Sequence, residues 1–144
     1  MDITARTVRI LVAEDHALSR QIVANALRDC GVVDIEIVLD GTQACAAIDA
    51  ARLAGKPFQI VFLDWEMPGM TGVDILRRYR ARPDFDNVAF IMATAVSEQK
   101  HVIDAVRAGA TAYIIKPTSQ NAIARKFDEM LQWVRQKNKP AGAD

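Results

Sequence analysis

The chain has 144 residues, 51% hydrophobic and 25% charged, with eighteen basic and eighteen acidic side chains in balance. This is the composition of one ordinary globular domain, and a net charge of zero supplies no field to draw nucleic acid or an anionic membrane. Two isolated cysteines, Cys30 and Cys45, exclude a disulfide framework and a zinc site, and no apolar stretch is long enough for a membrane helix. Both cysteines fall on apolar faces of predicted helices and are expected as small core residues. Residues 1–6 lack the charged-then-apolar order of a signal peptide. A cytoplasmic location, bacterial by default, is therefore expected.

In chain order, strand and helix signals alternate. An apolar run over about 7–14 carries Val8, Ile10, Leu11, Val12 and Ala13 and ends on Glu14 and Asp15. A helical period follows in Leu18, Ile22, Val23, Ala26 and Leu27 and stops at Gly31. A strand at about 35–39 precedes a second helix, with Ala44, Ala47, Ile48 and Ala51 inward and Gly55 at its end. The third run, about 59–64, is Ile60, Val61, Phe62 and Leu63 and ends on Asp64, followed by Trp65-Glu66-Met67-Pro68-Gly69. Met70, Val73, Leu76 and Tyr79 give a third helix, ended by the Arg82-Pro83 step because the residue before proline disfavours helix. A strand at about 88–94 ends on Thr94. Val102, Ile103 and Val106 mark the inner face of a fourth helix, which stops at Gly109. The last strand, 112–116, ends on Lys116 before Pro117. Thr118 or Ser119 can cap a fifth helix, whose inner face is Ile123, Phe127, Met130, Leu131 and Val134. The tail from about 137 to 144 is polar and expected to fray.

Runs that are apolar without alternation suit strands covered on both faces, which means a parallel sheet. Five β–α units in succession then imply a doubly wound α/β fold. The expectation is a five-stranded parallel sheet flanked by five helices, with the flavodoxin-like order 2-1-3-4-5. One domain is expected over 1–144, with its core at about 7–135. Ligands of such sheets bind beyond the carboxyl ends of the strands. Glu14, Asp15, Asp64, Thr94 and Lys116 all fall there. Three acids, a hydroxyl and an amine at one edge suit a divalent cation and a phosphoryl group.

This constellation resembles the receiver domain of two-component response regulators. The matching residues are Glu14-Asp15, Asp64, Thr94-Ala95 and Lys116-Pro117, each after its strand. The loop Asp64-Trp65-Glu66-Met67-Pro68-Gly69-Met70-Thr71-Gly72 looks like the family's phosphoacceptor loop, and Ala108-Gly109-Ala110-Thr111-Ala112-Tyr113 like its approach to the last strand. The resemblance implies that Asp64 accepts a phosphoryl group from a phosphohistidine. Mg²⁺ would be held by Glu14, Asp15, Asp64 and the backbone carbonyl of Glu66. Lys116 would pair with the developing charge and Thr94 would hydrogen-bond a phosphoryl oxygen. Thr94 and Tyr113 would then switch a surface formed by the fourth helix, fifth strand and fifth helix.

The implied partners are a histidine kinase or histidine phosphotransfer protein and a downstream protein, with no membrane insertion and no direct DNA binding. With only a short tail after the last helix, no output domain is expected within this sequence, and a full-length protein of this form would be similar to the single-domain chemotaxis regulators; an excised domain would leave the output open. It could equally serve as a phosphotransfer shuttle or a phosphate sink. Two other classes share part of the pattern. A phosphoaspartate hydrolase of the haloacid dehalogenase type would want a second aspartate where Glu66 stands. A nucleotide binder of the same fold would want a glycine-rich loop in place of Glu14-Asp15-His16.

Some residues depart from the pattern or resist a role. Thr118 stands where many receivers carry Phe. By the same resemblance, Glu66 and Val96 would flank the path of attacking water. His16 is expected at the rim of the site, and His101 is expected to face solvent from the fourth helix. Arg77, Arg78, Arg80 and Arg82 are expected as a solvated helix C-terminus, favourable to the helix dipole.

Overall fold

A computed structural model describes residues 2–95 and 99–139. Five strands, β1 (Arg9–Ala13), β2 (Asp34–Val38), β3 (Ile60–Asp64), β4 (Ala89–Ala95) and β5 (Ala112–Lys116), pair in parallel in the order β2-β1-β3-β4-β5. Between and after them run α1 (Ala17–Asp29), α2 (Gly41–Leu53), α3 (Gly72–Arg80), α4 (Gln99–Ala108) and α5 (Gln120–Lys137). The expected topology and all ten elements are present. A short 3₁₀ turn, Pro83–Phe85, was not anticipated and follows the Arg82-Pro83 step that ends α3. Val96 and residues 140–144 of the expected tail lie outside the described residues.

Local chemistry sets the helix ends. Asp40, Thr71 and Ser119 accept hydrogen bonds from the third backbone N–H beyond them and so cap α2, α3 and α5. Ser119 is thus the cap of α5, and the neighbouring Thr118 hydroxyl is buried without a hydrogen-bond partner. At the other ends, Gly31 and Gly109 adopt φ of 95° and 101°, a left-handed turn that costs glycine nothing. The N–H groups of Val32 and Ala110 then reach back to Leu27 and Ala105, satisfying carbonyls that the helix leaves open.

The sheet divides the core in two because side chains of a strand alternate between its faces. Ile10, Val12, Ile60, Phe62 and Ile91 face α1 and α5, packing with Leu27, Phe127 and Val134. Leu11, Val61, Leu63, Phe90 and Met92 face the opposite layer, with Ile48, Leu76, Tyr79 and Ala105. Right-handed crossovers demand this partition, two helices on one face and three on the other.

Four expectations about facing need correction. Leu18 is 71% exposed, and Ile103 and Val106 are 52% and 59% exposed, so the apolar face expected of α4 looks partly outward. α4 covers the sheet chiefly through Ala105, a residue small enough to let the helix lie close. Cys45 is buried as expected, whereas Cys30 is only half-buried. Arg80 is not part of a solvated cluster. Its guanidinium lies over the Phe90 ring and donates to the carbonyls of Gly109 and Phe85 and to Thr111 Oγ1, at 2.7 to 2.9 Å. It joins α3, the 3₁₀ turn and the α4–β5 loop. Arg77, Arg78 and Arg82 remain exposed.

Candidate functional site

The register of the sheet brings the strand ends level. Ala13 lies opposite Leu63, Asp64 opposite Ala93, and Ala95 opposite Lys116. Glu14 continues β1, its N–H bonded to the carbonyl of Val38. The β1–α1 loop is held by Arg20, whose guanidinium donates to the carbonyls of Glu14 and Asp15. After β3, Trp65 N–H donates to Ala93 and Gly72 N–H returns to the Trp65 carbonyl, so the loop after Asp64 is folded back on its strand. Asp64, Thr94 and Lys116, with Glu66 and His16, line a cleft of about 200 Å³ at this edge.

Among the described residues, Glu14, Asp64 and Thr94 are the only buried side chains outside the hydrophobic and aromatic ones. The Lys116 ammonium lies 2.5 Å from Glu14 Oε1 and 3.1 Å from Asp64 Oδ1. Burial pushes the Asp64 carboxyl up to about 7; the Glu14 carboxylate beside it adds to that rise, and Lys116 offsets it in part. Burial also opposes the charge on Glu14. A shared proton from Asp64 and the Lys116 ammonium outweigh that and hold Glu14 below the usual carboxylate range. Lys116 in turn is desolvated, yet the two acids keep its pKa above that of a free lysine. Burial and charge thus favour a proton held at Asp64 and shared with Glu14.

The donors suit a hard cation. Glu14, Asp15, His16 and Asp64 each place one ligand atom within 4.8 Å of the others. Asp15 Oδ1 is buried without a hydrogen bond; His16 Nδ1 stands 3.2 Å away but makes none with it. A buried carboxylate oxygen lacking a donor is a place where a metal fits, and three carboxylates match the oxygen preference of Mg²⁺. His16 is exposed at the rim, as expected, with its ring turned to the acids.

The structure therefore brings Glu14, Asp15, Asp64, Thr94 and Lys116 together, with Glu66 on the cleft wall and its side chain exposed. Tyr113 stands apart. Its ring is exposed on β5 and lines grooves beside α4 and α5, not the cleft. His101 corrects the sequence reading. It does not simply face solvent: the imidazole stacks on Trp65, with centroids 3.9 Å apart, and its Nδ1 lies 3.1 Å from Thr94 Oγ1. Trp65 and His101 were both missed as parts of the site. The position of Trp65 directly after Asp64 was the only signal for either.

A family model described as the response regulator receiver domain matches residues 10–128. The chain belongs to this family. Chemotaxis protein CheY of Pseudomonas aeruginosa is 32% identical over 127 residues, which cover 88% of this chain and 98% of that protein. Chemotaxis protein CheY-3 of Vibrio cholerae is likewise 32% identical, over 88% and 94%. Among solved structures, chemotaxis response regulator CheY4 of Vibrio cholerae aligns with a TM-score of 0.76 at 24% identity, covering 87% of this chain and 99% of that one. A CheY-like receiver domain protein of Methanospirillum hungatei aligns at 0.77 and 24%, over 92% and 100%. At those identities the two structures speak for the fold. The chain is thus a CheY-like receiver domain of phosphorylation-activated two-component signalling, a family of signalling switches, and an acidic cluster sits at the expected edge. Among the described residues no helix is long and apolar enough to cross a membrane.

Proposed function

We propose that Asp64 is the phosphoacceptor of this receiver domain and that the whole chain acts as one such domain. The observation that supports the reading most is the meeting of Asp64 with Glu14, Asp15 and Lys116 at one sheet edge. In the reaction a carboxylate oxygen of Asp64 bonds to the phosphorus of a phosphohistidine, the N–P bond breaks, and the donor imidazole recovers a proton. Lys116 balances the charge arriving on the phosphoryl group, and Thr94 offers its hydroxyl to one phosphoryl oxygen. Mg²⁺, held by the carboxylates of Glu14, Asp15 and Asp64 and the backbone carbonyl of Glu66, would supply the positive charge that lets three acids face a phosphate. The donor would be a histidine kinase or a histidine phosphotransfer protein, in the cytoplasm.

The output reading favours docking over a pure phosphate sink. Ile103, Val106, Tyr113 and Ile115 are exposed apolar side chains on α4 and β5, a surface that a partner could cover. Movement of Thr94 toward the phosphoryl group would draw on α4, with Tyr113 turning inward. Incubation with acetyl phosphate and Mg²⁺, followed by intact mass measurement, tests the reaction. About one phosphoryl per chain should accumulate and vanish in Asp64→Asn; continuous turnover of acetyl phosphate without a modified chain would instead mark a phosphatase.

A further inference from the structure

The hydroxyl of Thr94 is already engaged. Thr94 is buried near the end of β4, and its Oγ1 lies 3.1 Å from Nδ1 of His101, in the first turn of α4. The same imidazole lies flat on the indole of Trp65, 3.9 Å between centroids and 8° from parallel. Trp65 follows Asp64 directly, is almost fully buried, and is tied to β4 through its bond to Ala93. All four side chains line the same cleft. One residue of α4 therefore holds the hydroxyl destined for the phosphoryl group and covers the neighbour of the carboxylate that would carry it.

A threonine hydroxyl has a single hydrogen to donate. Either atom can donate in this pair; with the imidazole proton on Nε2, Nδ1 accepts the Thr94 hydrogen, which then cannot also go to a phosphoryl oxygen. We infer that His101 carries its proton on Nε2 and, as a positioning residue, competes with the phosphoryl group for the Thr94 hydroxyl, so that modification of Asp64 breaks the Thr94–His101 bond. The stack on Trp65 pins the imidazole, so the bond breaks by rotation of Thr94 between its few staggered χ1 wells. The two arrangements are discrete, and the phosphoryl group selects one of them. Loss of the bond removes a polar tie between β4 and the start of α4, which gives the cleft a route to the exposed face of that helix.

This inference rests on Asp64 being the phosphoacceptor, and the test separates the two. Binding of beryllofluoride with Mg²⁺ is measured calorimetrically on the intact protein and on variants whose thermal unfolding confirms the fold. His101→Phe keeps a ring for the Trp65 stack and loses the acceptor. It should bind about fivefold more tightly, the equivalent of roughly 1 kcal/mol for one neutral hydrogen bond. His101→Asn, whose Oδ1 takes the place of Nδ1, should return the affinity to that of the unmodified protein. In a Thr94→Val background His101→Phe should have no effect. Unchanged or weaker binding in His101→Phe, or tightening that persists with Thr94→Val, overturns the competition while leaving the phosphoacceptor intact. Binding that survives Asp64→Asn overturns both.

Discussion

At Asp64, burial and the Glu14 carboxylate raise the pKa to about 7, against roughly 4 in an unfolded chain. Between those values the folded state holds a proton that the unfolded state has lost, so stability falls as pH rises through this window. Glu14, with its depressed pKa, acts in the opposite sense, but its stabilising share is lost only as pH falls below the window. Without divalent cations, Asp64→Asn should therefore unfold at higher urea at pH 8 than the unmodified protein, by on the order of 1–3 kcal/mol, and the gap should narrow through about pH 5 and close near roughly pH 4. Mg²⁺ should raise the urea midpoint of the unmodified protein more at pH 8 than at pH 5.5, because it replaces the proton at Asp64. An equal shift at both pH values would contradict the site. The acids and Lys116 were legible because each sits where an apolar run stops. The partnership of His101 with Trp65 was not, because the two are far apart in sequence and meet only through the packing of α4.

At the scale of elements, the strands were readable to within about two residues; the central β1, β3 and β4 are buried and apolar almost throughout, whereas the edge strands β2 and β5 are partly exposed and were read from their Ile and Val content. Helix facing was harder to read. The apolar stripe of α4 predicts burial, yet Ile103 and Val106 look outward, and only the small Ala105 is fully covered. Periodicity reports which side of a helix is apolar, not whether something covers it. Arg80 shows the same limit for charge. A run of arginines reads as solvated, and nothing in it marks the one whose three donors are taken by other elements. Arg80→Ala should accordingly cost roughly 2–3 kcal/mol in chemical unfolding, whereas Arg77→Ala should cost less than about 0.5 kcal/mol. Gly72 opens α3 against the end of β3, where an added Cβ would collide with the carbonyl oxygen of Asp64 and meet the Met92 side chain. Gly72→Ala should lower stability by roughly 1–3 kcal/mol and weaken Mg²⁺ binding, read by calorimetry, because the strain falls on the backbone of the site.

For the whole molecule, the sheet separates the polar cleft from the exposed apolar face proposed for docking. The cleft lies at the carboxyl ends of β1, β3, β4 and β5, while the exposed apolar side chains lie along α4 and β5. Coupling between the two should be visible by hydrogen exchange. Beryllofluoride with Mg²⁺ should slow exchange in the loop after β3 and alter it from Thr94 through β5, with little change in α2. Tyr113→Ala should leave phosphorylation intact and abolish its effect on partner capture. The most direct measurement is borohydride reduction of the protein after phosphorylation, which converts an aspartyl phosphate to homoserine, followed by peptide mapping. Homoserine at position 64 alone, formed only with Mg²⁺ and a phosphoryl donor, is the predicted result; reduction at Glu14, at Asp15 or at no residue would contradict it.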